Sequence, residues 1–291
     1  AQLMSMSRKL QYQQLVEAGA LGRLPFIEME LLDKQNVRVV FQGVEGAYSQ
    51  AAMKKYFPDN ENNFHVTTFR EAMEAIEEGA ADFAVLPIEN SSAGAVVDLY
   101  DILTRYSNSI VAETFLPVNH ALLGTADSHE EQIQTVYSHP QALMQSSAYL
   151  NSHRDWKQIS MENTAVAARK VLEDGDPTQA AVASEIAGKL YGLKVLKPSI
   201  QNNKGNTTRF VILAKDQVYR RDAGKISICF ELPHRSGTLY NMLGHFIFNH
   251  VNMIMIESRP IPGRNWEYRF FVDIEGNLED AAVKNALKGI G

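Results

Sequence analysis

The sequence predicts an α/β protein: two lobes built on parallel sheets with helices on both faces, followed by a smaller domain of strands and helices. Three observations carry that reading. From Val37 to Tyr191 an apolar strand-like run, a short polar turn and a segment with apolar residues at helical spacing recur in the same order. The run Asp82–Ile88, broken only by Pro87, is apolar almost throughout, as a strand buried on both faces must be. After the polar, glycine-containing stretch 216–224, Lys225 to Leu232 alternates residue by residue.

A chain of 291 residues allows about two domains, and 45% apolar with 21% charged residues is ordinary for a globular protein. No apolar run approaches the roughly 20 residues that span a bilayer, so no membrane partner is expected. The first residues, Ala1 to Lys9, lack the apolar core of a secretory signal. Cys229 is the single cysteine, which excludes an internal disulfide and a multi-cysteine metal site. A reducing, cytoplasmic setting is therefore expected. The net charge of −6 argues against a nucleic-acid partner, which calls for a strong basic patch.

In order, residues 1–18 read as a helix, with Met6, Leu10 and Val16 apolar, and 24–35 as an acidic connector. Val37–Gln42 is a strand, and Gly43 to Gln50 opens a helix running to about Tyr56. That glycine turn serves either as an anion site, through free backbone N–H groups, or as a tight connection only. A strand at His65–Phe69 precedes a helix carrying Ala72, Met73 and Ile76 that stops at Gly79. Asp82–Ile88 delivers Glu89-Asn90-Ser91-Ser92 to its carboxyl end, where open α/β sheets bind ligands; the same residues can cap the next helix, Ala95 to about Tyr106. Strands follow at Ser109–Phe115, Asn119–Gly124 and Thr135–Tyr137. The helix after Pro140 carries Leu143, Gln145, Ser147 and Leu150. His139 is a candidate catalyst or, as the plainer reading, a hydrogen-bonded histidine at a helix start. Strand–cap–helix units at Trp156–Leu172, capped by Asn163-Thr164, and at Ala180–Tyr191, capped by Ser184, complete the series. The remainder reads βαββα, and a closing strand would make it a βαββαβ sandwich.

The stretch Asn203 to Phe210 is where these parts converge. Thr207, Thr208 and Arg209 sit behind a Gly/Asn-rich turn at the mouth of the buried strand Phe210–Ala214. Arg grips a carboxylate with two prongs, and Thr donates or accepts a hydrogen bond, so the trio suits a small anion. A surface turn with an ordinary ion pair is the plainer reading of these residues alone.

Four blocks then occur in order: Gly43-Val44-Glu45-Gly46-Ala47-Tyr48-Ser49, Pro87 to Ser91, Ser138-His139-Pro140-Gln141, and Thr208-Arg209-Phe210. With Glu257-Ser258-Arg259-Pro260 further on, the chain resembles the prephenate dehydratases with a C-terminal ACT regulatory domain, over about residues 36–291. The resemblance departs at Ile254-Met255 and at Ser236-Gly237-Thr238-Leu239, which puts the strength of feedback control in doubt rather than the fold. It implies a two-lobed, periplasmic-binding-protein-like catalytic domain over 36–217 (lobes 36–116 with 196–217, and 117–195). It also implies a ferredoxin-like ACT domain over 224–291, its last strand lying beyond the sequence. The helix from Met6 to Leu15 is similar to the last helix of a chorismate mutase domain, so 1–35 is expected to be a remnant and linker without mutase activity.

The reaction implied is prephenate to phenylpyruvate with loss of CO2 and water. Aromatisation drives it, so no cofactor and no metal are expected. The resemblance gives Thr208 the leaving hydroxyl and makes Asn90, Ser138 and Gln145 orienting residues. Arg209, Thr207, Glu89, Ser91 and Phe210 are expected around the substrate, with Arg209 on a carboxylate or buried as a structural residue. Glu89 is a weaker candidate for the proton source. L-phenylalanine is expected between the ACT domains of a homodimer or homotetramer, on Gly237, Thr238, Leu239, Asn252, Glu257, Ser258, Arg259 and Pro260. Arogenate dehydratase chemistry and a non-catalytic small-anion binding protein are the alternatives.

Overall fold

The computed structural model describes residues 26–290; the expected helix within 1–18, including the mutase-like stretch Met6 to Leu15, lies outside the described residues. The chain divides into two compact units, Asp33–Lys215 and, among the described residues, 26–32 with 216–290.

The larger unit holds two sheets. The first has strand order β3-β2-β4-β12-β6, with β5 beside β4. Its strands are β2 (Val39–Gln42), β3 (Asn63–Val66), β4 (Phe83–Asn90), β5 (Gly94–Ala95), β6 (Ser109–Pro117) and β12 (Thr207–Ala214). The second has order β11-β7-β10-β8-β9: β7 (Ala121–Gly124), β8 (Thr135–Ser138), β9 (Lys157–Ser160), β10 (Gln179–Ala183) and β11 (Lys194–Lys197). Neither sheet is parallel throughout, which corrects the expectation. β2 runs parallel to β3 and β4, but β12 is antiparallel to β4 and β6. β8 runs parallel to β9 and β10, but β7 is antiparallel to β10 and β11. The cause is the way the chain changes sheets: it leaves the first by β6 into β7 and returns by β11 into β12, and of these β7 and β12 run against the βαβ strands beside them, while β6 and β11 pair outside β12 and β7. The return expected at residue 196 falls inside β11, a short edge strand whose Lys-Val-Leu-Lys gives little apolar signal.

The second sheet is covered on both faces because both sets of its alternating residues are apolar. Leu122, Val182 and Val136 pack on Ala142, Leu143 and Leu150 of α4 (Pro140–Gln145) and α5 (Ser147–Leu150). Leu123, Ala181 and Ala183 pack on Ala167, Ala168 and Val171 of α6 (Thr164–Asp174) and on Ala187 of α7 (Glu185–Tyr191). The helix expected after Pro140 is thus two short helices that break at Ser146. Caps match the sequence where a side chain was available: Asn163 Oδ1 accepts from Val166 N, and Ser184 Oγ from Ala187 N.

In the first lobe α1 (Tyr48–Tyr56), α2 (Phe69–Glu77) and α3 (Val97–Leu103) flank the sheet. Thr68 and Glu71 close a reciprocal capping box on α2. The Asn90–Ser92 segment does not cap α3, as had been expected. β5 intervenes, and Val96 at the cap makes no side-chain bond. In the glycine turn three backbone donors are already used. Gly43 N donates to Val66 O, Gly46 N to Gln50 Oε1 and Ala47 N to Val44 O. Gly46 sits at φ +82, and a Cβ there would meet Leu190, Tyr191 and the backbone of Ala187, so glycine is needed for α7 to pack on the turn.

In the smaller unit β14 (Lys225–Glu231), α8 (Thr238–Phe248), β15 (Met253–Pro260), β16 (Tyr268–Glu275) and α9 (Ala281–Ile290) form βαββα, with an antiparallel sheet ordered β14-β16-β15. Met242, Phe246, Val272, Ile274, Val283 and Ala286 make its core. Glu257 to Pro260 form the end of β15. β1 (Ile27–Met29) pairs with β13 (Val218–Arg220), both too short to show a period. No described helix is long and apolar enough to cross a membrane.

Candidate active site

Thr208 lies in β12, opposite Asn90 in β4. Asn90 Nδ2 donates to Thr208 Oγ1 at 2.9 Å. Asn90 Oδ1 accepts from Ser92 N and Ala93 N, both at 3.0 Å, so two backbone donors fix which end of the amide meets the threonine. An oxygen that accepts from an amide keeps its own proton to give. Thr208 therefore presents an O–H with no acceptor among the described residues.

Around this pair the other predicted residues fall into different roles. Ser91 clips the return strand: its N donates to Thr207 O and its Oγ accepts from Thr207 N, each at 2.9 Å. Thr207 Oγ1 turns back to Gly205 O. Arg209 is buried, its side chain 7% exposed, with Nε on Glu113 Oε2 at 2.7 Å and a second guanidinium nitrogen 3.8 Å from Glu89 Oε2. Its carboxylate partners are thus the protein's own. Glu89 is 42% exposed, so the burial on which a proton-donor role would rest is absent. Phe210 belongs to the core.

The second lobe contributes Ser138 and Gln145. Ser138, at the end of β8, is fully buried and donates from Oγ to Val182 O at 2.5 Å. Gln145 ends α4, and its Oε1 lies 2.9 Å from His120 Nε2. No hydrogen bond among the described residues joins either one to Thr208. His139 Nδ1 accepts from Gln141 N, which is the helix-start role.

The return segment draws the two lobes together through neighbouring asparagines. Asn202 accepts at Oδ1 from Ala148 N, donates to Ser147 Oγ and Met144 O, and gives its backbone N–H to Gln145 O at 2.6 Å. Asn203 donates to Ser92 Oγ, beside Asn90. This makes the stretch from 202 to 208 one of the physical links between the lobes.

His120, Asn119 and Gln201 were not expected at the site, and Tyr48 was named only as part of the glycine block. The ring of His120 stands between Tyr48 Oη, 3.1 Å from Nδ1, and Gln145. Burial holds its pKa below the ordinary histidine value, against a smaller opposing effect of the Gln145 bond. Tyr48, which also donates to Asn119 O at 2.8 Å, is pushed well above the usual phenol value by burial. The polar Asn119-His120 pair, wedged between two apolar strands, was the available signal. Asn206, two residues before Thr208, is buried with no hydrogen-bond partner for either amide atom among the described residues.

In the smaller unit a concavity is lined by Leu232, Arg235, Thr238, Leu239, Trp266 and Phe270, among others. Thr238 and Leu239 are thus at one site, with Gly237 beside them at φ +81. Asn252 bonds Glu275 instead, at 2.9 Å, and Glu257, Ser258, Arg259 and Pro260 pair along β16.

A family model described as prephenate dehydratase matches residues 39–218. The chain is 37% identical over 289 residues to the bifunctional chorismate mutase/prephenate dehydratase of Escherichia coli K12, covering 96% of this chain and 74% of that one. It is 39% identical over 271 residues to arogenate dehydratase/prephenate dehydratase 1 of Arabidopsis thaliana, covering 88% and 69%. The structure of the prephenate dehydratase of Arthrobacter aurescens in complex with L-Phe matches with a TM-score of 0.81 at 28% identity, covering 87% of this chain and 85% of that one.

Proposed function

Because this chain belongs to the prephenate dehydratase family, we infer that it converts prephenate to phenylpyruvate and that Thr208, oriented by Asn90, serves the departing hydroxyl. The Asn90–Thr208 pair carries this reading: its amide is locked by two backbone donors, and its hydroxyl proton is left to give. In the reaction the ring carboxylate leaves as CO2. The electron pair of that C–C bond aromatises the ring, and the C–O bond to the ring hydroxyl breaks. Prephenate dianion and one proton give phenylpyruvate, CO2 and water. Threonine is too weak an acid to ionise, so its O–H polarises the leaving oxygen while the proton comes through solvent. Gln145 and Ser138 orient the substrate from the second lobe. Arg209 holds β12 in place through Glu113 rather than touching substrate.

The smaller unit is an ACT domain that senses L-phenylalanine, in a homodimer or homotetramer, and Thr238 and Leu239 contact the effector. Support comes from the concavity beside α8 and from the L-Phe complex of the Arthrobacter relative. The plant relatives named for arogenate favour a second substrate, which differs from prephenate by an amino group on the side chain.

The test is phenylpyruvate formation from prephenate, read by absorbance in strong base, with and without L-phenylalanine. Product suppressed by phenylalanine is expected. Turnover of arogenate in place of prephenate would transfer the reading to the second substrate, and no turnover of either by folded protein would overturn it.

A further inference from the structure

We propose that His120 is a positioning residue that turns the N–H end of the Gln145 amide toward the substrate, with the Tyr48 hydroxyl bracing the other edge of the ring. The inference rests on the reading of Gln145 as a substrate-facing residue. Three groups form a line from one lobe to the other. Tyr48 opens α1 in the first lobe, His120 lies in the linker between β6 and β7, and Gln145 ends α4 in the second lobe. The ring is 2% exposed. Its backbone N–H is held by Gln201 Oε1 at 3.0 Å, and Gln201 Nε2 in turn donates to Asn119 Oδ1 at 2.9 Å, so the linker itself is braced.

The donor inventory sets the order of the line. An amide oxygen only accepts, so the 2.9 Å contact between Gln145 Oε1 and His120 Nε2 requires the hydrogen on Nε2. Burial favours the neutral ring, and a neutral imidazole with hydrogen on Nε2 has a bare Nδ1. That nitrogen lies 3.1 Å from Tyr48 Oη, whose one proton goes to Asn119 O at 2.8 Å, so the tautomer is read from the Gln145 contact and not from Tyr48. With its oxygen end taken, Gln145 presents two N–H donors that have no acceptor among the described residues. The opposite tautomer would put a bare Nε2 against the amide and draw its NH2 inward. The substrate would then meet an amide oxygen. Prephenate is anionic and rich in oxygen acceptors, so donor and acceptor ends are not equivalent to it.

The experiment is a double-mutant cycle on kcat/KM for prephenate with the full chain. Gln145→Met and His120→Leu are each expected to lower it at least about tenfold, the scale of one hydrogen bond to a charged group. The double variant is expected to be no worse than Gln145→Met, because His120 then has nothing left to orient. His120→Gln, which keeps an N–H donor near the Nε2 position, is expected to recover most of the loss. Losses that multiply in the double variant would overturn the inference while leaving Gln145 in the site. A folded His120→Gln as weak as His120→Leu would overturn it too. An unchanged Gln145→Met would remove both this inference and the role of Gln145, but not that of Thr208. Should His120→Leu fail to fold, Tyr48→Phe replaces it in the cycle. A loss of a few fold that vanishes in the Gln145→Met background is expected, and a loss that persists there would overturn the inference.

Discussion

Each lobe brings a side-chain amide to its wall of the candidate site, and the two fix it differently. In the first lobe Asn90 is oriented by the backbone N–H groups of Ser92 and Ala93. In the second, Gln145 is oriented by the ring of His120. Backbone donors cannot change identity, so the Asn90–Thr208 wall holds one hydrogen-bond order at any pH at which the fold survives. A neutral histidine has two tautomers, so the Gln145 wall keeps its order only while the hydrogen stays on Nε2, as it also does in the protonated ring. On the function proposed above, the rigid wall would carry the chemistry and the adjustable wall the grip.

Removing the hydroxyl from the rigid wall is the harshest way to break this division. Thr208→Ala is expected to lower kcat on the order of a hundredfold, the scale of lost general-acid assistance, with a modest change in KM. Steady-state rates with prephenate check it, and near-normal turnover would leave the first wall without its catalytic role. The strand beneath comes next. Arg209→Met leaves Glu113 without its 2.7 Å partner. A fully buried pair broken this way costs roughly 3–5 kcal/mol. Glu113 is a quarter exposed, at 26%, so on the order of 2 kcal/mol is expected here, read as a lower denaturant midpoint. A midpoint unchanged with kcat/KM much reduced would instead make Arg209 a substrate ligand.

Much of this was legible in the sequence. Continuous apolar runs named β4 and β12, the caps Asn163 and Ser184 fell where expected, and Asn90 and Thr208 stood out because polar residues flanked buried strands. Strand direction was not legible, since periodicity records which faces are buried and not which way a neighbour runs. β12 could not be read as antiparallel without knowing that the chain had crossed to a second sheet and back. Arg209 was ambiguous for a similar reason: Glu113, its partner, lies far away in sequence on β6. His120 went unseen because a lone histidine between strands carries no period, and its meaning depends on Tyr48 and Gln145, which approach only in the fold.

The gentlest probe addresses the adjustable wall through acid. The folded pKa of His120 is lowered by burial, whereas the unfolded chain binds that proton near the ordinary value of about 6.5. Between those values the unfolded state holds more protons, so stability falls as pH drops from about 7 toward the folded pKa and is unaffected above. One proton contributes at most about 1.4 kcal/mol per pH unit. His139 and His245 are shifted in the same direction by the same cause, so the wild-type slope alone is ambiguous. They remain in His120→Gln, and the difference between the two slopes isolates His120. Denaturant midpoints at pH 7.5 and 5.5 are expected to fall further for the wild type than for His120→Gln. Equal losses would mean that the ring accepts its proton as readily in the fold as outside it, so that burial does not keep the second wall uncharged.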